Sequence, residues 1–288
     1  MIAGMNLDSS LTPAAGAPGW HARLDLAFSR RGGGTVLSRR AHRGPLRVQK
    51  ALHPEGEAVC HGIVLHPPSG IAGGDDLEIR VAVEAGGHAL LTTPGAGKWY
   101  RSAGPRAAQR LRLSAAPGAV LEWLPQENIV FAGALADLDT RVELAGDARL
   151  IAWDILCLGR RASGERFDRG NLRLASRIER DGQPLWLERG ALDGGSPLLD
   201  SAAGLAGFSV SATLLASGPG LDAALLAACR EVPAPAGQAG ISLLPDLLVA
   251  RHLGHSAEAA RHWFAALWGI LRPALAGRAA QTPRIWNT

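Results

Sequence analysis

The sequence predicts a mainly β fold: a stacked or helical β architecture of many short strands, with two α-helices in the C-terminal quarter. Three observations predict it. The 288 residues include 36 glycines and 18 prolines within a chain that is 47% hydrophobic, so frequent turns surround a real core. Three segments superpose on one another, LEIRVAVEAGGHALLTTPGA from Leu77, LRLSAAPGAVLEWLPQEN from Leu111 and TRVELAGDARLIAWDIL from Thr140. Each reads as strand, glycine-containing turn and strand, and the turns begin at Ala85, Ala116 and Ala145, 31 and then 29 residues apart. Period-2 strands recurring at such an interval mark units that bury their apolar faces on one another. A looser fourth copy, NLRLASRIERDGQPLWLERG, turns at Asp181-Gly182. Last, the spacing changes from two to three and four residues near the C-terminus, which is the helical period.

Taken in order, residues 1–19 are rich in Gly, Ala, Pro and Ser and read as a flexible tail, and 20–288 as a single β-rich domain. Ala22, Leu24, Leu26 and Phe28 alternate with Arg23, Asp25 and Ala27, the pattern of a half-buried strand. Gly32-Gly33-Gly34 turns the chain into Thr35–Ser38, and Leu46, Val48 and Lys50 continue the alternation. In VLHPPSGIAGGDD (64–76) an apolar run stops at two prolines, and Asp75 and Asp76 stand at the exit of a glycine-rich loop. Locally this fits a tight turn with solvated acids, a preformed oxygen-ligand site or a backbone docking surface. The repeats follow, and then the helices. Asp222–Glu231 reads as a short helix, and Val232–Gly240 as a linker. Ser256–Leu271 is amphipathic through Ala260, Trp263, Phe264, Leu267, Ile270 and Leu271, with Ser256 as N-cap and Pro273 as its stop. This spacing places Trp263 and Trp268 in the core. The terminal PRIWNT is apolar enough to be expected against the body of the fold.

Composition narrows the function. The net charge of +4 comes mostly from scattered arginines, and Lys50 and Lys98 are the lysines. No basic run carries interleaved aromatics, which argues against nucleic acid as a partner. Scattered arginines suit bidentate pairing with carboxylates of partner proteins. Cys60, Cys157 and Cys229 lie far apart without a CxxC, which speaks against a disulfide framework or structural zinc and for a reducing, cytoplasmic setting. No apolar run approaches the roughly 18 residues of a membrane span, and the first residues lack the pattern of a secretory signal.

Catalytic templates are missing: there is no GxSxG, HExxH, EF-hand loop or strand-borne GxGxxG. PGAGKW (94–99) falls short of a phosphate loop, with Thr92 where a glycine belongs and Trp99 in place of Ser or Thr. His61 and His66, and the pair His252 and His255, are too few for a four-ligand structural metal site. Four carboxylates stand in apolar or glycine-rich stretches: Asp75, Glu122, Asp154 and Glu165. Each must face outward, pair with an arginine such as Arg160, or line a wet cavity. Asp75 and Glu165 could also form an acid/base pair if one pocket held both, while GAGKWYRS and the tryptophan-rich helix could serve as docking surfaces.

The motifs HPPSGIAGGDDL, LLTTPGAGKWYRS, LEWLPQENIVF, GRRASGERF and the closing PRIWNT, in that order along nearly the whole chain, resemble those of the urease accessory protein UreD (UreH) family. The resemblance implies a mostly β, stacked fold with two helices and a maturation factor with no turnover of its own. It implies binding to apo-urease and to UreF, which recruits UreG, within a dimeric UreD–UreF–UreG assembly. It also implies no tightly bound cofactor, with Ni(II) in transit through a polar internal passage. Carried over to this sequence, Asp75 and Glu165 are candidate nickel or passage contacts, as are Glu122 and Asp154. Family members often have glutamate at the position of Asp154. Asp76 is expected to be structural. Lys98, Trp99, Tyr100 and Arg101 are candidate partner contacts. The alternatives are a protein-interaction scaffold without nickel conduction and a β-stack enzyme using Asp75 and Glu165.

Overall fold

The computed structural model describes residues 19–287, so all but the last residue of the expected tail lie outside the described residues. The alternating segment forms β1 (His21–Arg31), which the glycine turn returns as β2 (Gly34–Arg43), followed by β3 (Arg47–Val48) and β4 (Cys60–Leu65). The repeats give β5 (Asp76–Val83), β6 (His88–Thr92), β7 (Gly97–Trp99), β8 (Ala107–Ala115), β9 (Val120–Trp123), β10 (Asn128–Val130), β11 (Leu135–Leu144) and β12 (Arg149–Leu158). After them come β13 (Asn171–Arg180), β14 (Gln183–Asp193), α1 (Pro197–Asp200) and β15 (Val210–Ser217). The chain closes with α2 (Ala223–Arg230), β16 (Gln238–Leu244), β17 (Leu247–Gly254) and α3 (Ala257–Ala276).

These strands build two facing sheets. The seven-stranded sheet runs β14-β13-β11-β8-β5-β1-β2, and β1, β5, β8, β11 and β13 are parallel neighbours. The ten-stranded sheet has the parallel run β4-β6-β9-β12 at its centre and the antiparallel β15, β17 and β16 beyond it. Each repeat therefore contributes one strand to each sheet, and β7 and β10 stack in parallel between coils. The equivalent turn glycines Gly86, Gly118 and Gly146 have φ of 67, 71 and 53°, a region a side chain rarely enters. Backbone bonds run from coil to coil across these turns: the Ala116 N–H donates to the Val83 carbonyl, and that of Ala145 to Ala115, each at 2.9 Å.

The fourth copy departs from the pattern. At Asp181-Gly182 both residues have positive φ, 49 and 78°, which is the two-residue turn that folds a strand back on itself. β14 thus pairs antiparallel with β13 in the same sheet instead of crossing to the other, and the stack ends there.

Leu24, Phe28, Val81, Leu91, Leu113 and Leu121 fill the space between the sheets, and all are nearly inaccessible. A second core lies on the far face of the ten-stranded sheet, where α3 lays down Ala260, Trp263, Phe264, Leu267, Trp268 and Leu271. Burying one such large side chain contributes about 1.5–3 kcal/mol. Ser256 caps α3 by accepting the Ala259 N–H at 3.1 Å, and Asp222 caps α2 by accepting that of Leu225 at 2.7 Å. Pro273 does not stop α3 as expected. The helix runs one turn further because Arg272 and Leu275 are buried on the fold, and Gly277, at φ 65°, ends it. The terminal segment is buried as expected: the Trp286 indole packs near Trp153 and Trp268 and donates to Thr92 Oγ1 at 2.7 Å.

One buried charge cluster fastens α3 to the sheet. Glu122 on β9 and Arg272 on α3 are both fully buried, 3.0 Å apart. Glu122 also accepts from the Trp268 indole at 2.5 Å and lies 2.6 Å from His88 Nε2. Arg272 reaches on to Glu55 at 2.5 Å, and Glu55 lies 2.7 Å from His61. Burial opposes ionisation of Glu55, but the bonds from His61 and Arg272 outweigh it and hold the carboxyl down at about 2. Arg272→Ala leaves two buried carboxylates without their cation, and the unfolding free energy in urea is expected to drop by about 3–5 kcal/mol. Because Glu55 is more acidic folded than unfolded, its contribution is complete above the usual carboxylate value of 4.5 and is lost as pH falls from there toward about 2. Acid unfolding should show a loss of roughly 3 kcal/mol over that window, absent in Glu55→Gln.

Candidate functional site

In-register parallel pairing turns each inward-facing residue into a member of a row. Across the seven-stranded sheet one inward row reads Ile79, Leu111, Thr140, Ser176 and Glu188, apolar at β5 and polar toward β14. Opposite it, the ten-stranded sheet carries Asp154, Thr213 and Arg251 in register on β12, β15 and β17. The two polar rows line one cavity of about 520 Å³ between the sheets. It crosses the stack from beneath β5 to the β14 edge, about 19 Å at the usual strand spacing. Glu188 and Arg251 close the β14 end as an ion pair at 2.5 Å, both partly exposed. At the other end the cavity is bounded by the 93–98 loop and by His66.

Asp154 stands in the middle of this space. Protein surrounds it, yet its side chain faces the open cavity instead of packed atoms, and Asn128 Nδ2 donates to it at 2.9 Å. Burial raises its pKa above the usual carboxylate range; bonds from Asn128 and the Ile155 backbone oppose the rise, and the Glu188 charge adds to it. His66 Nε2 is buried without a hydrogen-bond partner, and burial lowers its pKa against the pull of Asp75. Asn128 is itself fixed, since its Oδ1 accepts the Trp99 indole at 3.1 Å.

Of the four carboxylates singled out in the sequence, Asp154 alone lines the cavity. Asp75 is 2% exposed, and its oxygens accept the backbone N–H groups of Trp20 at 2.7 Å and Ala72 at 2.8 Å. It ties the GGDD loop to the start of β1. Asp76 pairs with Arg110 on the outer surface. Glu165 accepts the Ala132 N–H at 2.9 Å with one oxygen and Arg160 at 2.6 Å with the other, and Arg160 lies over the Phe131 ring. The Arg160 bond leads in lowering its pKa. Asp75 and Glu165 thus clamp two separate loops and share no pocket, which removes the geometry an acid/base pair requires. Glu122 belongs to the buried cluster under α3. Among the expected partner contacts, Trp99 is 1% exposed and packs inward, while Lys98 borders the cavity and Tyr100 and Arg101 are exposed. Sequence reading passed over Thr140, Ser176, Glu188, Thr213 and Arg251. Their signal was present: polar residues at positions where strand alternation calls for apolar ones.

Among the described residues, no three His, Cys, Asp or Glu side chains form a group able to hold a metal ion, and all three cysteines are free. No helix among them is long and apolar enough to cross a membrane.

The family model described as UreD urease accessory protein matches residues 21–287, the whole stack with its helices and terminal segment. The chain belongs to the UreD family. It is 59% identical over 274 residues to the urease accessory protein UreD of Azoarcus sp. (strain BH72), covering 95% of this chain and 96% of that protein. To UreD of Dechloromonas aromatica (strain RCB) it is 60% identical over 276 residues, covering 94% and 96%. To UreD of Pseudomonas aeruginosa PAO1 it is 56% identical over 272 residues, again covering 94% and 96%. UreD is an accessory protein of urease, not a catalytic enzyme.

Asp75→Ala strands two backbone N–H groups, so chemical unfolding should show a loss of about 2–4 kcal/mol. Asp154→Ala leaves the Asn128 amide and the Ile155 N–H to find other partners at an open cavity, and its effect on stability is expected to stay below about 1 kcal/mol.

Proposed function

We propose that the chain serves urease maturation as a scaffold between apo-urease and the UreF–UreG complex, and that nickel passes through it along the inter-sheet cavity. The observation that carries the second half is the pair of facing polar rows, Thr140-Ser176-Glu188 and Asp154-Thr213-Arg251. Inward positions of a stacked β fold are otherwise apolar, and polar groups left there without packed partners cost free energy unless water reaches them. A wet row of hydroxyls and carboxylates offers Ni²⁺ exchangeable oxygen ligands, which hold it more loosely than a cage of imidazoles or thiolates would. Asp154 is the central group in this reading. Asp75 supports the passage indirectly by fixing the loop beside it, whereas Glu165 fixes a loop that contributes nothing to the cavity lining. The cytoplasmic setting expected from the sequence suits such a role.

The test separates conduit from scaffold. Ser176→Phe fills the cavity one strand in from its β14 end and Asp154→Leu removes its central ligand, while neither side chain lies on the outer surface. Urease is purified from cells carrying each variant, and both its nickel content and the co-purification of UreF are measured. The expected result is normal UreF binding with nickel content reduced several-fold. Unchanged nickel content in both variants would sink the conduit and leave the scaffold.

A further inference from the structure

The outer face of the seven-stranded sheet carries a second set of rows, and two neighbouring ones differ in kind. One alternates in sign, Arg23, Glu78, Arg110 and Asp139 standing side by side on β1, β5, β8 and β11. Such a row satisfies itself in water. The next one is of one sign across four strands: beyond Asp25 on β1, Arg80, Arg112, Arg141 and Arg177 are adjacent on β5, β8, β11 and β13, with side chains 50, 25, 59 and 48% exposed. The four span about 14 Å at the usual strand spacing. Like charges directly opposite one another destabilise a sheet, and the alternating row beside it shows that this scaffold accommodates a neutral arrangement.

Flanking acids relieve part of the repulsion. Glu78 lies 2.7 Å from Arg80, Asp139 lies 2.5 Å from Arg112 and 3.7 Å from Arg141, and Glu179 pairs with Arg177. These pairs also show that carboxylates fit the row. At its β14 end the row meets Leu187, opposite Arg177 and 61% exposed, the most exposed large apolar side chain among the described residues. α3 packs on the ten-stranded sheet, and no helix among the described residues covers this face.

We propose that this arginine row, with Leu187 at its end, is a docking surface for a carboxylate-rich segment of a partner protein. Arginine forks bind carboxylates bidentately on a rigid, regularly spaced support. An exposed leucine beside them provides the apolar anchor that protein interfaces use and that a nucleic-acid backbone does not. The proposal deepens the maturation reading by giving an acidic partner its face, and it rests on that reading only for the partner's place in urease assembly.

The probe is a fluorescein-labelled glutamate-rich peptide containing leucine, titrated with the full chain at low and physiological salt and followed by anisotropy. A single-stranded oligonucleotide of equal charge serves as the competing polyanion. The wild-type chain is expected to bind the peptide in preference to the oligonucleotide, more weakly as salt rises. R80S/R141S/R177S should weaken peptide binding by about tenfold. R141S alone, which gives up a single 3.7 Å contact, should show part of that loss with unchanged thermal unfolding. L187S should weaken the peptide and leave the oligonucleotide unaffected. Wild-type peptide affinity in R141S and in the triple variant would overturn the proposal, as would an oligonucleotide bound as tightly as the peptide. The assay contains no urease component, so its failure leaves the maturation reading standing. Unchanged nickel content in the cavity variants would equally leave this face intact.

Discussion

Everything distinctive in this molecule depends on parallel pairing in register. When β5, β8, β11 and β13 stack without offset, a residue is never alone, because its equivalents stand on either side at the strand spacing. Chemistry placed at one position of the repeat is multiplied into a line. An apolar position becomes a strip of core, an inward hydroxyl becomes part of a polar cavity wall, and an outward arginine becomes a charged ridge. The turn glycines suit this register, since a side chain at Gly86, Gly118 or Gly146 would be strained at their φ.

A stack of coils leaves the outer face of the ten-stranded sheet uncovered, and α3 answers that need with its aromatic stripe. The Glu122–Arg272 cluster then fixes the helix in one position. A buried pair of this kind contributes little net stability compared with well-packed apolar residues, but breaking it is costly, so it enforces one docking geometry over its neighbours. Arg272 reaches both Glu122 on β9 and Glu55 in the segment before β4, which joins three parts of the chain through one side chain. This also accounts for Pro273: with its neighbour pinned at such a point, the helix continues past a residue that would ordinarily end it.

The repeat and the two C-terminal helices were legible because each rests on a local signal, a glycine turn at a fixed interval or an apolar residue every three or four positions. The path of the fourth copy was not. Its strands look like the others, and only the positive φ of both Asp181 and Gly182 diverts it into a hairpin. Among the site residues, Asp154 could be found because a carboxylate between apolar strand residues is conspicuous. Thr140, Ser176 and Thr213 are small and ordinary in strands, and they acquire meaning only when register sets them beside Glu188 and across from Asp154. Asp75 shows the opposite case. Its punctuated loop pointed to a ligand site, but a buried carboxylate flanked by glycines and a chain crossing can be satisfied by backbone N–H groups alone, and two of them take both its oxygens.

The same geometry explains how one small fold can have an interior polar cavity and a charged exterior face without conflict. Strand alternation sends neighbouring residues to opposite sides, so Asp139 and Arg141 look outward while Thr140 between them looks into the cavity. Changes on one side leave the other untouched so long as register holds. A partner resting on the proposed arginine row would therefore have no direct contact with the cavity wall. Coupling between the proposed docking and the proposed passage would run through the sheet edge, where Leu187 faces out, Glu188 faces in, and Arg251 joins Glu188 to β17 across the mouth of the cavity.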